Sequence, residues 1–290
     1  MTDTVTAVDL IPPERQTLWR TPAVINFAAG GAGAGLYLVA VLCAGFTVSP
    51  ALTLASWLAP ALVLAGFIAV ALEAGRPFRG PRVLVRVRTS WMSRELWLGG
   101  AFIALAGTEL VAPGPRLRVL AVIAAAMFVV AQGFIVRRAR GIAAWDVPIM
   151  PALFVTSALV SGAGLVLMFD VVTARALGNW LLGSAMGLLV FAFVVWLTFV
   201  TWSSDTSFAS VTWMLRAGPT AVRLAGGGYV IPFALIGLAL ALPEWRAPLT
   251  FVAGALMLAA QIHAKAVVIL KAGQLRAVTV HSFRLSRRPS

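Results

Sequence analysis

Charge is scarce in this chain. Only 11% of its 290 residues are Asp, Glu, Lys or Arg, and ten of those are acidic. A water-soluble domain keeps roughly a quarter of its residues charged, so this sequence has too little charge to cover a surface facing water. Cysteine and histidine are nearly missing too. The single Cys43 forms no internal disulfide and cannot by itself hold an iron–sulfur cluster. The two histidines are His263, inside an apolar run, and His281, in the tail. A b-type haem held between helices takes two imidazoles facing each other within the bilayer, and His263 has no such partner. No haem, cluster or metal site is therefore expected. If the chain works in a redox system, electrons reach it on a diffusible molecule and leave it to a partner subunit, or the reverse.

What the sequence has instead is length in apolar runs: 60% of its residues are hydrophobic, and its mean hydropathy is +0.94. Runs long enough to cross about 30 Å of hydrocarbon occur at 23–48, 51–72, 96–112, 119–136, 148–171, 177–202, 224–242 and 249–270. The fold class expected is thus an all-α integral membrane protein, a bundle of about eight transmembrane helices. Residues 1–22 form an N-terminal interfacial segment, 23–271 the transmembrane domain and 272–290 a basic tail. The first run reads as a membrane helix rather than a cleavable signal, because Asp3, Asp9 and Glu14 precede it and it is too long. From Thr21 to Leu72 no charge occurs, with Val48-Ser49-Pro50 as the break of a tight helical hairpin. Trp57, Trp97, Trp145, Trp180, Trp202, Trp213 and Trp245 lie near the ends of runs, as in an interfacial belt.

The net charge of +13 sits in short loops rather than on one soluble face, which argues against nucleic acid as a partner. Counted by loop, 18 basic residues fall on one side of an eight-span layout and four (Arg116, Arg118, Arg175 and Arg246) on the other. That asymmetry puts both termini on the basic face, and the positive-inside rule makes that face cytoplasmic. Docking of an acidic partner is a competing cause of the same asymmetry. No internal repeat is evident.

The segment between the second and third runs is the most informative. It reads Leu72-Glu73-Ala74-Gly75-Arg76-Pro77-Phe78-Arg79, then Arg88-Thr89-Ser90-Trp91-Met92-Ser93-Arg94-Glu95-Leu96. Glu73 closes one span and Glu95 opens the next, so both carboxylates lie near one membrane face. Such groups exchange protons with a bound carrier whose redox chemistry takes up or releases two of them. Alternatively Glu73 pairs with Arg76 and Glu95 with Arg94 or Arg88 as interfacial salt bridges, with Ser90 or Ser93 capping the helix. In the first run, Asn26 leads Gly30-Gly31-Ala32-Gly33-Ala34-Gly35. Small residues on every face allow close approach of another helix or of a flat ring. Asn26 hydrogen-bonds either a ligand carbonyl or a neighbouring helix. Gln132, Gln261 and Lys265 are weaker signals, with Lys265 placed to snorkel toward the basic side. Pro151, Pro232 and Gly226-Gly227-Gly228 are possible helix breaks.

The apolar hairpin with its glycine-rich first span, the Glu-Ala-Gly-Arg-Pro turn at 73–77 and the Arg-Thr-Ser-Trp-Met-Ser-Arg-Glu segment at 88–95 resemble the DmsC/NrfD type of membrane anchor; Ile269-Leu270-Lys271-Ala272-Gly273 is a weaker match. These subunits fasten molybdenum oxidoreductases, such as dimethyl sulfoxide and polysulfide reductases, sulfite dehydrogenases and phenylacetyl-CoA oxidoreductases, to the membrane. The resemblance implies a haem-free helical bundle in the bacterial cytoplasmic membrane that binds a quinone, menaquinone or ubiquinone, near one face. It implies two partners: a four-cluster ferredoxin-like iron–sulfur subunit and a molybdopterin catalytic subunit. In the dimethyl sulfoxide reductase anchors, a histidine ending the second span and a glutamate opening the third serve quinol oxidation. The glutamate matches Glu95, and the histidine position is filled here by Glu73. On this reading Glu95 and Glu73 exchange protons with the quinone, while Asn26, Arg76, Trp91 and Arg94 shape the headgroup pocket or dock the iron–sulfur subunit. The rival readings are a small-solute secondary transporter, which wants broken helices and ion ligands near the midplane, and a purely structural anchor.

Overall fold

The computed structural model describes residues 8–11, 14–44, 50–73, 84–170, 178–276 and 278–280. Arg76, the rest of its turn and His281 lie outside these residues.

Each apolar run folds as a long helix. They are α1 (Thr21–Cys43), α2 (Pro50–Glu73), α3 (Trp91–Val111), α4 (Pro115–Arg137), α5 (Met150–Asp170) and α6 (Gly178–Val200). A short helix, α7 (Thr206–Arg216), precedes the last two, α8 (Gly218–Ala241) and α9 (Arg246–Ala266). Seven of these helices are long and apolar enough to cross a membrane. The eighth expected span is α3. Its 21 residues rise roughly 31 Å, but Arg94, Glu95 and Glu109 dilute its apolar character. The all-α membrane bundle expected from the sequence is the fold observed.

The helix α1 forms the middle of the bundle, with 83% of its most apolar stretch buried against α2, α4, α5 and α9. Apolar surface gains nothing by leaving lipid for protein, so close contact of small residues must hold such helices together. Gly35 shows how close: a Cβ there would lie 1.9 Å from the Ala158 carbonyl oxygen of α5, and one on Gly162 would lie 2.1 Å from the Gly35 carbonyl carbon. On another face of α1, a Cβ on Gly33 would meet the Ala59 carbonyl oxygen of α2 at 2.5 Å. The glycine-rich run of α1 is thus a packing surface on several sides.

Two helices change pitch. α8 runs through a π-helical stretch at Val222–Val230, and α9 continues into another at Val267–Lys271. Pro232 follows the first and removes a donor from the α-type ladder there. At the second, the Val268 carbonyl accepts a 2.9 Å bond from the Trp145 indole, which is stacked on Trp19 at 4.9 Å. Trp145 is therefore buried, unlike the rest of the expected aromatic belt: Trp57, Trp97, Trp180, Trp202, Trp213 and Trp245 are exposed. The sequence held no separate signal for α7. Its Phe208, Val211, Thr212 and Leu215 form a buried stripe at helical spacing, with Trp213 exposed.

The two terminal segments meet. β1 (Val8–Ile11) pairs antiparallel with β2 (Val278–Val280), with Val8 opposite Val280. Gln16 N–H donates to the Gly273 carbonyl, Leu275 N–H to Glu14, and Arg276 N–H to Gly141. A Cβ on Gly273 would clash with Ile269 O at 2.5 Å and crowd Gln16 and Trp145 at 3.0 Å. The glycine thus lets the chain ends and the α4–α5 connection close over one end of the bundle.

Candidate functional site

Ser90 opens α3: its hydroxyl accepts from the Ser93 N–H at 3.4 Å, satisfying one of the unpaired donors of the first turn. From there Glu95, Gly99, Phe102, Ala106 and Glu109 recur at spacings of three and four along the buried stripe. Glu95 consequently points into the bundle one turn below the end of the helix. It is 5% exposed and accepts hydrogen bonds at Oε1 from Asn26 Nδ2 of α1 (3.0 Å) and Gln132 Nε2 of α4 (3.1 Å). Gln132 Nε2 also lies 3.4 Å from the Asn26 carbonyl oxygen. The salt bridge to Arg94 or Arg88 weighed from the sequence does not form. Arg94 turns the other way, donating to the Val87 and Arg88 carbonyls at 2.9 and 2.8 Å.

Three glycines make room for this cluster. A Cβ on Gly66 of α2 would lie 3.0 Å from Asn26 Oδ1, and one on Gly30 would lie 2.9 Å from Gln132 Nε2. On Gly99 it would strike the Phe67 ring at 2.4 Å. A buried carboxylate is costly unless hydrogen bonds replace its water. Here both bonds go to Oε1. Asn26 Oδ1 and Gln132 Oε1 are themselves buried without a hydrogen-bond partner. Buried acceptors left unpaired are uncommon in folded proteins, so these two call for an explanation beyond packing.

The cavity is a cleft of about 580 Å³ bordered by Asn26, Glu95 and Glu73, with Trp19, Phe27 and Met92 among its apolar walls. The structure thus brings together three of the six residues singled out from the sequence. Glu73, the last residue of α2, is exposed at the rim. Trp91 and Arg94 border an adjoining cleft of about 670 Å³ with Arg86, Arg88 and Arg138, and the two clefts share Trp19, Met92 and Ile135. There the Arg94 guanidinium lies 4.3 Å over the Trp91 ring, which stacks on Phe134 at 4.4 Å. The sixth residue, Arg76, lies outside the described residues.

Gln132 and Lys265 stand out in the structure but only weakly in the sequence. Gln132 is one polar residue in an apolar run, with nothing local to mark its partner on α3. Lys265 does not snorkel: it is 4% exposed and donates to Ser157 Oγ of α5 at 2.7 Å. A second polar cluster lies on α3 14 residues beyond Glu95, roughly 21 Å along the helix. There Glu109 accepts from the Tyr37 hydroxyl and pairs with Arg118 at 2.5 Å. Arg118, assigned from the sequence to a loop, is buried in this pair. The two clusters also fix directions: α1 and α3 run the same way and α4 runs against them.

Long apolar helices around a buried central one, with an inward carboxylate in a cleft near one end, define a multi-pass membrane protein with a site opening at the edge of the bundle. Residues 16–113 match the family model described as DMSO reductase anchor subunit (DmsC), which supports the resemblance to DmsC/NrfD-type anchors. The matched third of the chain spans α1 to α3 and so contains Asn26, Glu73 and Glu95, but not Gln132 or Lys265. No match was found among curated proteins.

Proposed function

We propose that this chain is the membrane anchor of a molybdenum and iron–sulfur oxidoreductase complex and that it binds quinone or quinol in the cleft bordered by Asn26, Glu73 and Glu95. One observation carries the reading. A carboxylate is buried a single turn inside the bundle, held at one oxygen by two amides, and borders a cleft with apolar walls. A further acceptor, Oδ1 of Asn26, which borders the cleft, is left unpaired. The residues fit a quinone: the aromatic and aliphatic walls suit a flat ring and its tail, and the Asn26 amide suits an oxygen on that ring. When bound, a quinol supplies two electrons and two protons. Glu95 takes a proton at the inner end of the cleft. Glu73, at the exposed rim, passes protons to water.

The neighbouring cleft, with Arg86, Arg88, Arg94 and Arg138, gives this end a positive surface suited to an acidic, ferredoxin-like iron–sulfur subunit that exchanges electrons with the quinone site. A molybdopterin subunit beyond it performs the substrate chemistry. On this reading the excess of basic residues in the loops of this end supports a cytoplasmic orientation for it, in a bacterial cytoplasmic membrane.

The test is Glu95→Gln in the assembled complex. The amide keeps the shape of the side chain but cannot take up a proton, so the complex assembles while quinol oxidation falls about a hundredfold or more. Turnover at the wild-type rate removes the assignment. Solute uptake by the chain alone in proteoliposomes would favour the transporter reading instead.

A further inference from the structure

Four charged side chains are buried among the described residues: Glu95, Glu109, Arg118 and Lys265. Glu109 and Arg118 neutralise each other at the far end of α3. That leaves one carboxylate and one ammonium of opposite sign, on α3 and α9, with no direct contact between them.

The atoms between them are arranged in order. Gln132 turns its Nε2 toward Glu95 Oε1. Its other end, Oε1, has no hydrogen-bond partner and faces the bare backbone of Gly31. A Cβ built on Gly31 would lie 3.5 Å from that oxygen and 3.4 Å from Lys265 Nζ. The orphaned acceptor and the ammonium therefore border one slot on the surface of α1. Lys265 has three N–H donors, of which Ser157 Oγ takes one. The amide of Gln132 thus has its N–H end on the carboxylate and its oxygen at the slot that the ammonium also borders. This is the orientation that two opposite charges impose on an amide set between them.

We propose that Lys265 is the counter-charge of Glu95, coupled to it through the side-chain amide of Gln132. Lys265 is a positioning residue: it touches neither the cleft nor anything bound there, and it acts by favouring the ionised carboxylate and holding Gln132 in the rotamer that orients it. An uncompensated buried charge is strongly destabilising, and removing the second member of a coupled pair relieves that cost. A purely structural lysine, seated on Ser157 alone, has no such reciprocity with Glu95. The functional consequence rests on the quinone reading; the coupling itself does not.

The experiment is a double-mutant cycle on the full chain in detergent, read by thermal unfolding. Lys265→Met and Glu95→Gln are each expected to lower the melting temperature, and the double variant to melt higher than the two separate losses added together predict. Additive losses overturn the proposal. If Lys265→Met does not fold alone, recovery of folded chain in the double variant is the same result read as yield. A yield no better than that of the single variant overturns it. The same cycle in a Gln132→Leu background is expected to lose the coupling.

In the assembled complex, Lys265→Met is also expected to move the pH profile of quinol oxidation toward higher pH. Among the described residues, the charged groups on the elements packed around Glu95 include Glu73 at the end of α2, Arg20 before α1, Arg94 on α3 and Lys265 on α9. From α4 the neutral Gln132 meets Glu95, and from α5 the neutral Ser157 meets Lys265. If the cycle is non-additive while Glu95→Gln oxidises quinol normally, the coupling stands and the quinone reading falls. If the cycle is additive while Glu95→Gln abolishes oxidation, the quinone reading stands and the coupling falls.

Discussion

The carboxylate at position 95 depends on two amides whose only common property in the sequence is that they interrupt apolar runs. Each donates to the same oxygen, and a hydrogen bond to a charged group contributes about 1.5–3 kcal/mol. Gln132→Leu removes one donor and the orphaned acceptor together. It should slow quinol oxidation roughly tenfold or more while the complex still assembles; steady-state rates on purified complex check this. The distant cluster gives the contrasting case. Tyr37→Phe leaves Glu109 paired with Arg118 but without a hydroxyl donor, at a cost of about 1–3 kcal/mol. That loss should appear as a lower melting temperature with quinol oxidation unchanged, because some 20 Å of apolar interior, with Phe102 in it, separates Glu109 from the cleft. A fall in quinol turnover in that variant would show the two ends of α3 to be coupled.

At the level of helices, the deciding feature is how closely backbones approach. Gly35 and Gly162 lie back to back, each with a neighbouring backbone where its Cβ would be. Gly35→Leu should therefore force α1 and α5 apart and sharply reduce the yield of folded protein. Gly107→Ala, whose Cβ would meet nothing within 4 Å, should be tolerated and gain some helix propensity. Detergent-extracted yield measured for the two variants side by side tests the assignment. The glycine run of α1 was visible in the sequence, and so was its meaning as a packing surface. Which glycine meets which helix was not, since small residues lie on all its faces. α7 was missed because 11 residues with one buried stripe are too short to register as a span. The π-helical stretches have no signature in hydropathy at all.

For the molecule as a whole, the pairing of β1 with β2 brings the two terminal strands together, and the proposed orientation rests on the distribution of arginines. In a Cys43→Ser background, a cysteine at Glu244, between α8 and α9, should react with a membrane-impermeant maleimide in intact cells. One at Arg276 should react only after permeabilisation. The reverse pattern would mean that the arginines mark a docking face and not the cytoplasm.

Hydropathy and charge alone determined that this chain is a helical membrane bundle, where its eight long helices lie and which loops are basic. Each of these follows from a run of neighbouring residues and the cost of placing them in lipid. The paired glutamates and Asn26 were legible as well, because they stand out against apolar neighbours at span ends. Only the folded structure decided that Glu95 turns inward to two amides instead of outward to Arg94. It likewise decided that Lys265 stays buried on Ser157, and that Arg118 leaves its loop for Glu109. The first two choices depend on side chains 37 to 108 residues apart and the third on a pair 9 residues apart on two different helices; helix packing brings each within 3 Å or so, and no local pattern encodes such a partner.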